Sequence, residues 1–252
     1  MSRLLLPGRK LFMPPARARG TVLVSSPRWI QPVSAGGPTS CKITYMGGIG
    51  TSLFASGNSV VLPSGWVTGD IILCVVNANK AISSISSGWT LLGTLTLGNS
   101  TSGYNGVWYR RMVSGDSAPA ITTASGGYFD AICAGFRGCI ASGSPIDANN
   151  TDWTIGSSGS SKTLTVPQII NSVNYDLIVM LMAAYSYHGL DTLNNNQYFT
   201  TVCSWWDNNN SNDFFVQDIV QGVAGGTSSV NLTSGNLYTK YFSAFMLSLK
   251  TS

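Results

Sequence analysis

From residue 43 onward, the chain alternates between short apolar or aromatic runs and short clusters of Ser, Gly, Asn and Asp. Runs of this kind, bounded by turn-forming residues, are typical of β-strands. The predicted strands cover residues 70–77, 89–97, 106–113, 130–137, 162–166, 175–184, 198–203, 213–222, 228–232 and 238–250. About ten short strands at this spacing predict an all-β body that folds as a two-sheet sandwich or a barrel.

Two of these runs do not alternate between apolar and polar residues. Residues 71–76 and 177–182 are continuously apolar. They are therefore predicted to be central strands that are covered on both faces. One face would pack on the opposite sheet. A further sheet, the N-terminal segment or a neighbouring subunit would cover the other face.

The composition agrees with β structure and brings few charges. The chain contains no Glu, and only 10% of its residues are charged, against roughly 25% in ordinary soluble domains. The common surface residues of helices are therefore scarce. A surface rich in Ser, Thr and Asn fits a protein that stays in a permanent assembly.

The charges are distributed unevenly along the chain. Every acidic residue is an Asp, and the first of them is Asp70. Residues 1–42 carry a net charge of +7 and residues 43–252 a net charge of −3, which gives the overall value of +4. A cationic segment before a weakly charged body is typical of a protein that docks onto a surface, and it argues against an enzyme with a charged pocket.

Residues 1–42 are predicted to form an extended basic arm in front of the body at 43–252. Six of the ten prolines lie in this arm, which excludes a helix or a long β-ladder. Apolar residues lie between the cations, so the arm is expected to lie against a partner. Folding back onto its own body is the alternative. The residues expected to bind the partner are Arg3, Leu5, Arg9, Lys10, Phe12, Arg17, Arg19, Arg28 and Trp29.

A protein surface is favoured over nucleic acid as the partner of the arm. Seven cations would neutralise several phosphates, but the arm is more apolar and richer in proline than disordered nucleic-acid-binding tails. No membrane partner is expected, because the longest apolar stretch, residues 177–187, is too short to cross a bilayer. The apolar run at 4–6 is too short for a secretory signal, so synthesis in a cytosol is expected.

No metal or cofactor is expected from the sequence. The five cysteines are odd in number and are expected to be buried thiols, not a disulfide framework. A zinc site is not expected, since the chain has no Cys-x-x-Cys pair and a single histidine.

The sequence offers few groups for catalysis. His188, the only histidine, lies near Asp191, where a loop residue is favoured over a member of a Ser–His–Asp triad. The Asp pairs that could cleave a glycoside are Asp147 with Asp152 and Asp207 with Asp213. Each pair lies in an Asn/Ser/Thr-rich stretch, where Asp commonly caps turns. No catalytic residue is assigned, and the protein is expected not to be an enzyme.

Residues 207–213 and their neighbours are the remaining candidate site. Oxygen ligands occur there at alternate positions, but the Gly and Glu of a calcium loop are missing and the flanks are predicted strands, so an Asn-rich turn is favoured. Trp205, Trp206 and Tyr187 are expected to contact another subunit or a glycan. Adjacent strand residues point to opposite faces, so at most one of the two tryptophans can lie in the core.

Five short motifs occur in order within residues 62–147. They are Gly69-Asp70, Gly88-Trp89-Thr90, Trp108-Tyr109-Arg110, Ser114-Gly115-Asp116 and Phe136-Arg137-Gly138. As an ordered set they resemble a β module of structural proteins of tailed bacteriophages, such as tail fibres and head-decoration proteins. The resemblance covers about a third of the chain. It implies a virion component with a jelly-roll-like two-sheet sandwich, often a trimer.

These features favour a non-enzymatic structural protein of the virion, assembled in the host cytoplasm. The favoured role is a capsid decoration or cement protein, a homotrimer whose arms bind the major capsid protein or another virion protein. The alternative is a tail fibre or receptor-binding protein that recognises a glycan on the host cell surface. A polysaccharide-cleaving spike is the third hypothesis.

Overall fold

Regular structure in the described part of this protein is entirely β. The computed structural model describes residues 41–53, 59–96, 104–125, 127–150, 154–155, 162–186, 193–195, 199–207, 212–220, 224–234 and 239–252. The predicted arm therefore lies almost wholly outside the described residues. The predicted all-β fold is confirmed. Within the ranges given above, no helix is long and apolar enough to cross a membrane.

The strands fall into two sets along the chain. Those of residues 44–137 are β1 (Thr44–Leu53), β2 (Ile71–Ala78), β3 (Ile82–Ile85), β4 (Thr90–Thr96), β5 (Tyr104–Arg111), β6 (Ile121–Thr123) and β7 (Phe129–Arg137). Those of residues 146–249 are β8 (Ile146–Asn149), β9 (Thr154–Ile155), β10 (Lys162–Val166), β11 (Ile170–Asn171), β12 (Leu177–Ser186), β13 (Leu193–Asn195), β14 (Thr200–Asp207), β15 (Asn212–Val220), β16 (Gly225–Gly226), β17 (Val230–Ser234) and β18 (Thr239–Leu249). Each of the ten predicted runs overlaps one of these strands.

The first set builds a large antiparallel sheet and a small one. The large sheet has the strand order β1-β7-β2-β5-β4. The small sheet pairs β3 with β6, and Ser59 adds a bridge to Ala120 just before β6. Thus β1 pairs with β7, the segment at Ser59 pairs with the start of β6, and β2 pairs with β5. If the segment at Ser59 is counted as the second of eight strands, these are the pairs of strands 1 and 8, 2 and 7, and 3 and 6. This is the strand pairing of a jelly roll, except that β4 joins β5 in the large sheet.

The second set repeats this plan. Its large sheet has the order β8-β18-β12-β15-β14, and its small sheet has the order β10-β17-β13. Strands β8, β12, β14, β15 and β18 thus correspond to β1, β2, β4, β5 and β7, and the small sheets correspond in the same way. The predicted sandwich is therefore present as two jelly-roll-like units. We call residues 41–140 unit 1 and residues 145–252 unit 2.

The two large sheets face each other and share one core. Along β2, Leu73 points into this shared core and Cys74 into the separate core of unit 1. Along β12, Val179 points into the shared core and Met180 into the separate core of unit 2. The molecule therefore has four layers of sheet, small, large, large and small. The prediction that both strands are buried on both faces is confirmed, and the second cover is another sheet.

The repeat leaves only a weak trace in the sequence. Asp70 and Asp176 correspond, because each directly precedes the central strand of its unit. Arg137 and Lys250 correspond, because the register pairs Ile71 with Phe136 as it pairs Leu177 with Leu249. The identical residues in these strands are Asp70 and Asp176, Ile72 and Ile178, Ala78 and Ala184, Phe129 and Phe242, and Ala131 and Ala244.

Eight of the eighteen strands in the described residues lie outside the ten predicted runs, namely β1, β3, β6, β8, β9, β11, β13 and β16. The pattern does not predict β1, because three glycines lie within residues 47–50. The strand forms because it pairs along its length with β7, with a register shift between Tyr45 and Gly47 and a φ of +140° at Gly47. The motif Ser114-Gly115-Asp116 consists of residues that are common in hairpin turns, but it does not close a hairpin. It leads from β5 in the large sheet to β6 in the small sheet.

Candidate functional site

One end of the four-layer body carries the junction with the arm. At this end β1, β2 and β12 begin and β7 and β18 end, as the pairing of Thr44 with Arg137 and of Leu177 with Leu249 shows. An antiparallel bridge between Cys139 and Thr251 joins the segments that follow β7 and β18. The corresponding ends of both units therefore lie together. We call this end of the body the arm end.

The last residues before β1 are held where the two units meet. Lys42 N donates a hydrogen bond to Thr251 Oγ1 at 3.0 Å. Gly138 lies so close to the Lys42 carbonyl that a side chain there would overlap the carbonyl oxygen. Its φ of +92° also favours glycine. Ser252 N donates to Gly138 O at 3.2 Å. We call this junction of Lys42, Gly138 and residues 251–252 the seam between the units. The arm is therefore rooted in both units.

Two turns with the sequence Val-x-Gly-Asp lie side by side at the arm end. In residues 67–70 and again in residues 113–116, the Asp N donates to the Val carbonyl at 3.1 Å, and the Val N donates to the Asp carboxylate at 2.8 Å. Gly69 and Gly115 have φ values of +97° and +87°, which favour glycine. A hydrogen bond of 2.8 Å from Gly69 N to Met112 O joins the two turns.

An arginine binds the carboxylate of each turn. Arg137 donates from Nε and Nη2 to Asp70 at 2.9 and 2.7 Å. Arg110 donates from Nε to Asp116 at 2.7 Å, and its Nη2 makes a second bond to the same carboxylate. The hydrogen bond from Arg110 is the main cause that lowers the pKa of Asp116. Bidentate, charge-assisted pairs of this kind fix both the turn and the strand end.

The motifs behind the phage resemblance are parts of these contacts. Arg110 donates through Nη1 to the Ser87 carbonyl at 2.7 Å, and its guanidinium fills the space where a side chain on Gly88 would lie. Trp89 packs in the separate core of unit 1. These residues and the pair of Asp70 and Arg137 hold the strand ends and turns of the arm end together. The motifs are therefore parts of the fold at this end.

Unit 2 has a different charge arrangement at the corresponding place. Lys250 corresponds to Arg137, but its Nζ lies 3.5 Å from a carboxylate oxygen of Asp147. Asp147 also accepts hydrogen bonds from Ser172 Oγ at 2.6 Å, from the Ser172 backbone and from Val173 N at 3.3 Å. It therefore performs for unit 2 the turn-capping role that the Asp of each Val-x-Gly-Asp turn performs for unit 1.

Asp176, which corresponds to Asp70, is fully buried beside Asp147. It accepts a hydrogen bond from Ser248 Oγ at 3.1 Å. Burial raises the pKa of Asp176 to about 6, and the nearby Asp147 carboxylate adds to the rise. Burial also acts to raise the pKa of Asp147. Hydrogen bonds from Ser172 outweigh this effect, so the pKa of Asp147 is lowered. Of the two carboxyls, Asp147 therefore ionises first as the pH rises.

We expect Asp176→Asn to stabilise the protein above a pH of about 6. The folded protein holds the Asp176 proton more tightly than the unfolded chain does, so this carboxyl costs stability as the pH rises from about 4 to about 6. A neutral amide of the same shape removes this cost, which is about 1–3 kcal/mol near neutral pH. Urea unfolding over this pH range measures the difference, which should vanish in acid.

Asp147→Asn is the matched control, with the opposite sign expected. Its charged form is favoured in the folded state, so losing the charge should destabilise the protein near neutral pH, and the difference should shrink as the pH falls. A stability difference between Asp176→Asn and the unaltered protein that does not change with pH would contradict the raised pKa of Asp176.

Two of the three predicted aromatic contacts, Trp205 and Trp206, lie in β14 at the opposite end of the body. In the register of β14 and β15, Trp205 pairs with Phe214 and Trp206 pairs with Asp213. The structure describes the backbone of both tryptophans but not their side chains, and Tyr187 lies outside the described residues. Their role in subunit or glycan contact stays a prediction. The nine arm residues from Arg3 to Trp29 also lie outside the described residues.

The described residues bring together no candidate metal site. Among them, no group of three or more His, Cys, Asp or Glu could hold a metal ion. Asp152, His188 and Asp191 lie outside the described ranges, and of Asp207 and Asp213 only the backbone is described. The expectation of buried thiols is confirmed for four of the five cysteines, namely Cys74, Cys133, Cys139 and Cys203.

The sequence alone predicts neither the seam between the units nor the closeness of Asp147 and Asp176 in unit 2. A signal was present in residues 173–176, Val-Asn-Tyr-Asp, which repeat the spacing of the two Val-x-Gly-Asp turns. Tyr175 stands where those turns have glycine, and its φ is +63°. Only glycine adopts such a conformation without cost, so the sequence hides the third turn.

Comparisons with known proteins do not identify the chain. No protein-family model matches the sequence, and comparison with curated proteins and with solved structures gives no match. The function is therefore inferred from the residues and their geometry.

Proposed function

We propose that this protein is a non-enzymatic component of a bacteriophage virion, a head decoration protein that binds the capsid through its arm. The partner is the major capsid protein or another virion protein exposed on the head. The net charge of +7 in residues 1–42 suits an acidic outer surface. The apolar residues between the cations supply contact area that charge alone does not.

The root of the arm is the observation that carries this proposal. Lys42 is hydrogen-bonded to Thr251 of unit 2 and lies against Gly138 of unit 1. From Thr44 the chain continues as β1, which pairs with β7 as far as Leu53. This root fixes the place on the body from which the arm starts. A bound arm would therefore also hold this end of the body near its partner.

We infer that the protein acts as a homotrimer, in line with the phage resemblance. Three arms on one trimer would bind neighbouring sites of the shell. Once one arm is bound, the others meet their sites at a high effective concentration, which raises the overall affinity by about 10²–10⁴ over that of one arm. Many weak contacts would then give durable attachment without a single strong site.

Deleting residues 2–40 tests the proposal. The variant keeps Lys42 and the buried Ile43, so the body should fold as before. We expect its binding to capsids assembled without this protein to fall by at least about 100-fold in a sedimentation assay. Far-ultraviolet circular dichroism and the melting temperature should be unchanged.

A second variant separates charge from contact area. Replacing Arg3, Arg9, Lys10, Arg17, Arg19 and Arg28 with Gln keeps the length and the apolar residues of the arm. This variant should bind more weakly than the unaltered protein and lose most of the salt dependence of binding. Decoration of capsids at full occupancy by the deletion variant would contradict the proposed function.

Host recognition is the second candidate function. It is favoured by the position of Trp205 and Trp206, whose backbone lies in β14 at the end opposite the arm root. An arm fixed to a tail and aromatic residues at the far end would suit a glycan-binding fibre. Copy number separates the two functions, since hundreds of copies over the head indicate decoration and a few at the tail indicate recognition.

A further inference from the structure

We propose that the arm end of the body is itself a docking surface, which seats on an acidic and partly apolar protein surface. This inference rests on the proposed function, because the partner is the capsid surface that the arm binds. It adds that the body makes direct contact with this surface. The arm would then be one part of a larger interface.

Exposed apolar side chains are concentrated at the arm end. Among the described residues, six large hydrophobic side chains are 42–69% exposed, and four of them lie at this end. They are Val67, Val113, Ile170 and Val220. Single exposed apolar residues are common on protein surfaces. Here they surround the root of a segment that is itself predicted to bind a partner.

Both units contribute to this apolar surface. Val67 and Val113 begin the two Val-x-Gly-Asp turns, and the hydrogen bond between Gly69 and Met112 holds these turns together. Val220 ends β15 of unit 2, and Ile170 lies in β11, shortly before the buried Asp176. Both groups therefore lie at the end of the body from which the arm starts.

In each of the three ion pairs at this end, the cation is more exposed than the carboxylate. In the pair of Arg137 and Asp70, the side chains are 44% and 3% exposed. In the pair of Lys250 and Asp147 they are 27% and 4% exposed. The pair of Arg110 and Asp116 has the same order, with values of 18% and 7%. A partner would thus meet cations and apolar groups, while the carboxylates stay covered.

This combination selects the chemistry of the partner. A nucleic acid would use the cations but would leave the four apolar side chains against phosphates. An acidic protein surface with apolar patches can use both kinds of group. The arm constrains the distance, because an extended residue spans at most about 3.6 Å. Residues near Lys42 therefore hold a bound partner close to this end.

Replacing the exposed valines of the two Val-x-Gly-Asp turns with aspartate tests the docking surface. We expect Val67→Asp/Val113→Asp in the full chain to weaken binding to capsids assembled without this protein by about 10- to 100-fold. Ile170→Asp, in unit 2, should independently weaken it by about 3- to 10-fold. Val61→Asp is the matched control, since Val61 is 46% exposed but lies beside β1, away from the arm end. It should bind as the unaltered protein does.

The outcomes separate this inference from the proposed function. If both arm-end variants bind like Val61→Asp while deletion of residues 2–40 abolishes binding, the docking surface is wrong and the proposed function stands. If the unaltered protein does not bind capsids, both are wrong. Tight binding to duplex DNA that the arm-end variants retain would replace the protein partner with a nucleic acid. Melting temperatures show that each variant is folded, and Ile170→Asp serves if the double variant is not.

Discussion

Phe245→Ala is expected to lower the free energy of unfolding by about 3–5 kcal/mol. Phe245 is fully buried in the shared core between the two large sheets. Its ring crosses from unit 2 to unit 1, where a side chain on Gly93 of β4 would come within 3.0 Å of it. Because both units depend on this core, the molecule should unfold in one transition. Urea unfolding followed by Trp fluorescence and by circular dichroism measures both properties.

Met246→Ala is the comparison for this variant. Met246 is the next residue of β18 and is equally buried, but it points into the separate core of unit 2. The substitution should cost about 2–5 kcal/mol and should shift the same single transition. Two separate transitions, of which Met246→Ala moved only one, would show that the units fold independently and that the shared core is not cooperative.

Gly138→Ala is expected to destabilise the protein by about 2–5 kcal/mol, a large effect for one methyl group. Two costs add at this position. The φ of +92° is unfavourable for alanine, and the new Cβ would overlap the Lys42 carbonyl, which is part of the backbone at the arm root. Relief of the overlap requires β1 to move away from the seam. Thermal and urea unfolding measure the loss.

Gly143→Ala isolates the cost of placing alanine at a positive φ. Its φ is +73°, but a Cβ there would have no atom within 4 Å. This variant should therefore lose only the backbone contribution, about 1–2 kcal/mol. Equal destabilisation by the two substitutions would mean that the contact between Gly138 and Lys42 does not hold the arm root.

Local pattern predicts ten of the eighteen strands in the described residues, because burial acts on each strand separately. The runs at 71–76 and 177–182 are apolar at every position, since β2 and β12 each lie between two cores. The pattern fails for β1, an edge strand in which glycines replace the side chains that would reveal it. Its pairing with β7 depends on residues far away in the chain.

The repeat and the arm end could not be predicted from local pattern. Asp70 corresponds to Asp176 and Arg137 to Lys250, but the spacing between corresponding residues differs from strand to strand, so no fixed period is visible. The two Arg–Asp pairs depend on which strand ends lie next to each other. The sequence shows the residue types for such pairs, and only the strand order shows their partners.

The pairing of β1 with β7 also determines how the protein would respond to mechanical force. A pull that is directed along β1 loads the whole ladder between β1 and β7, which begins at Thr44 opposite Arg137. In this shear geometry the hydrogen bonds of the ladder share the tension and must break together. Peeling would break them one at a time. Under such a load the body would follow the arm before the first strand separated from the sheet.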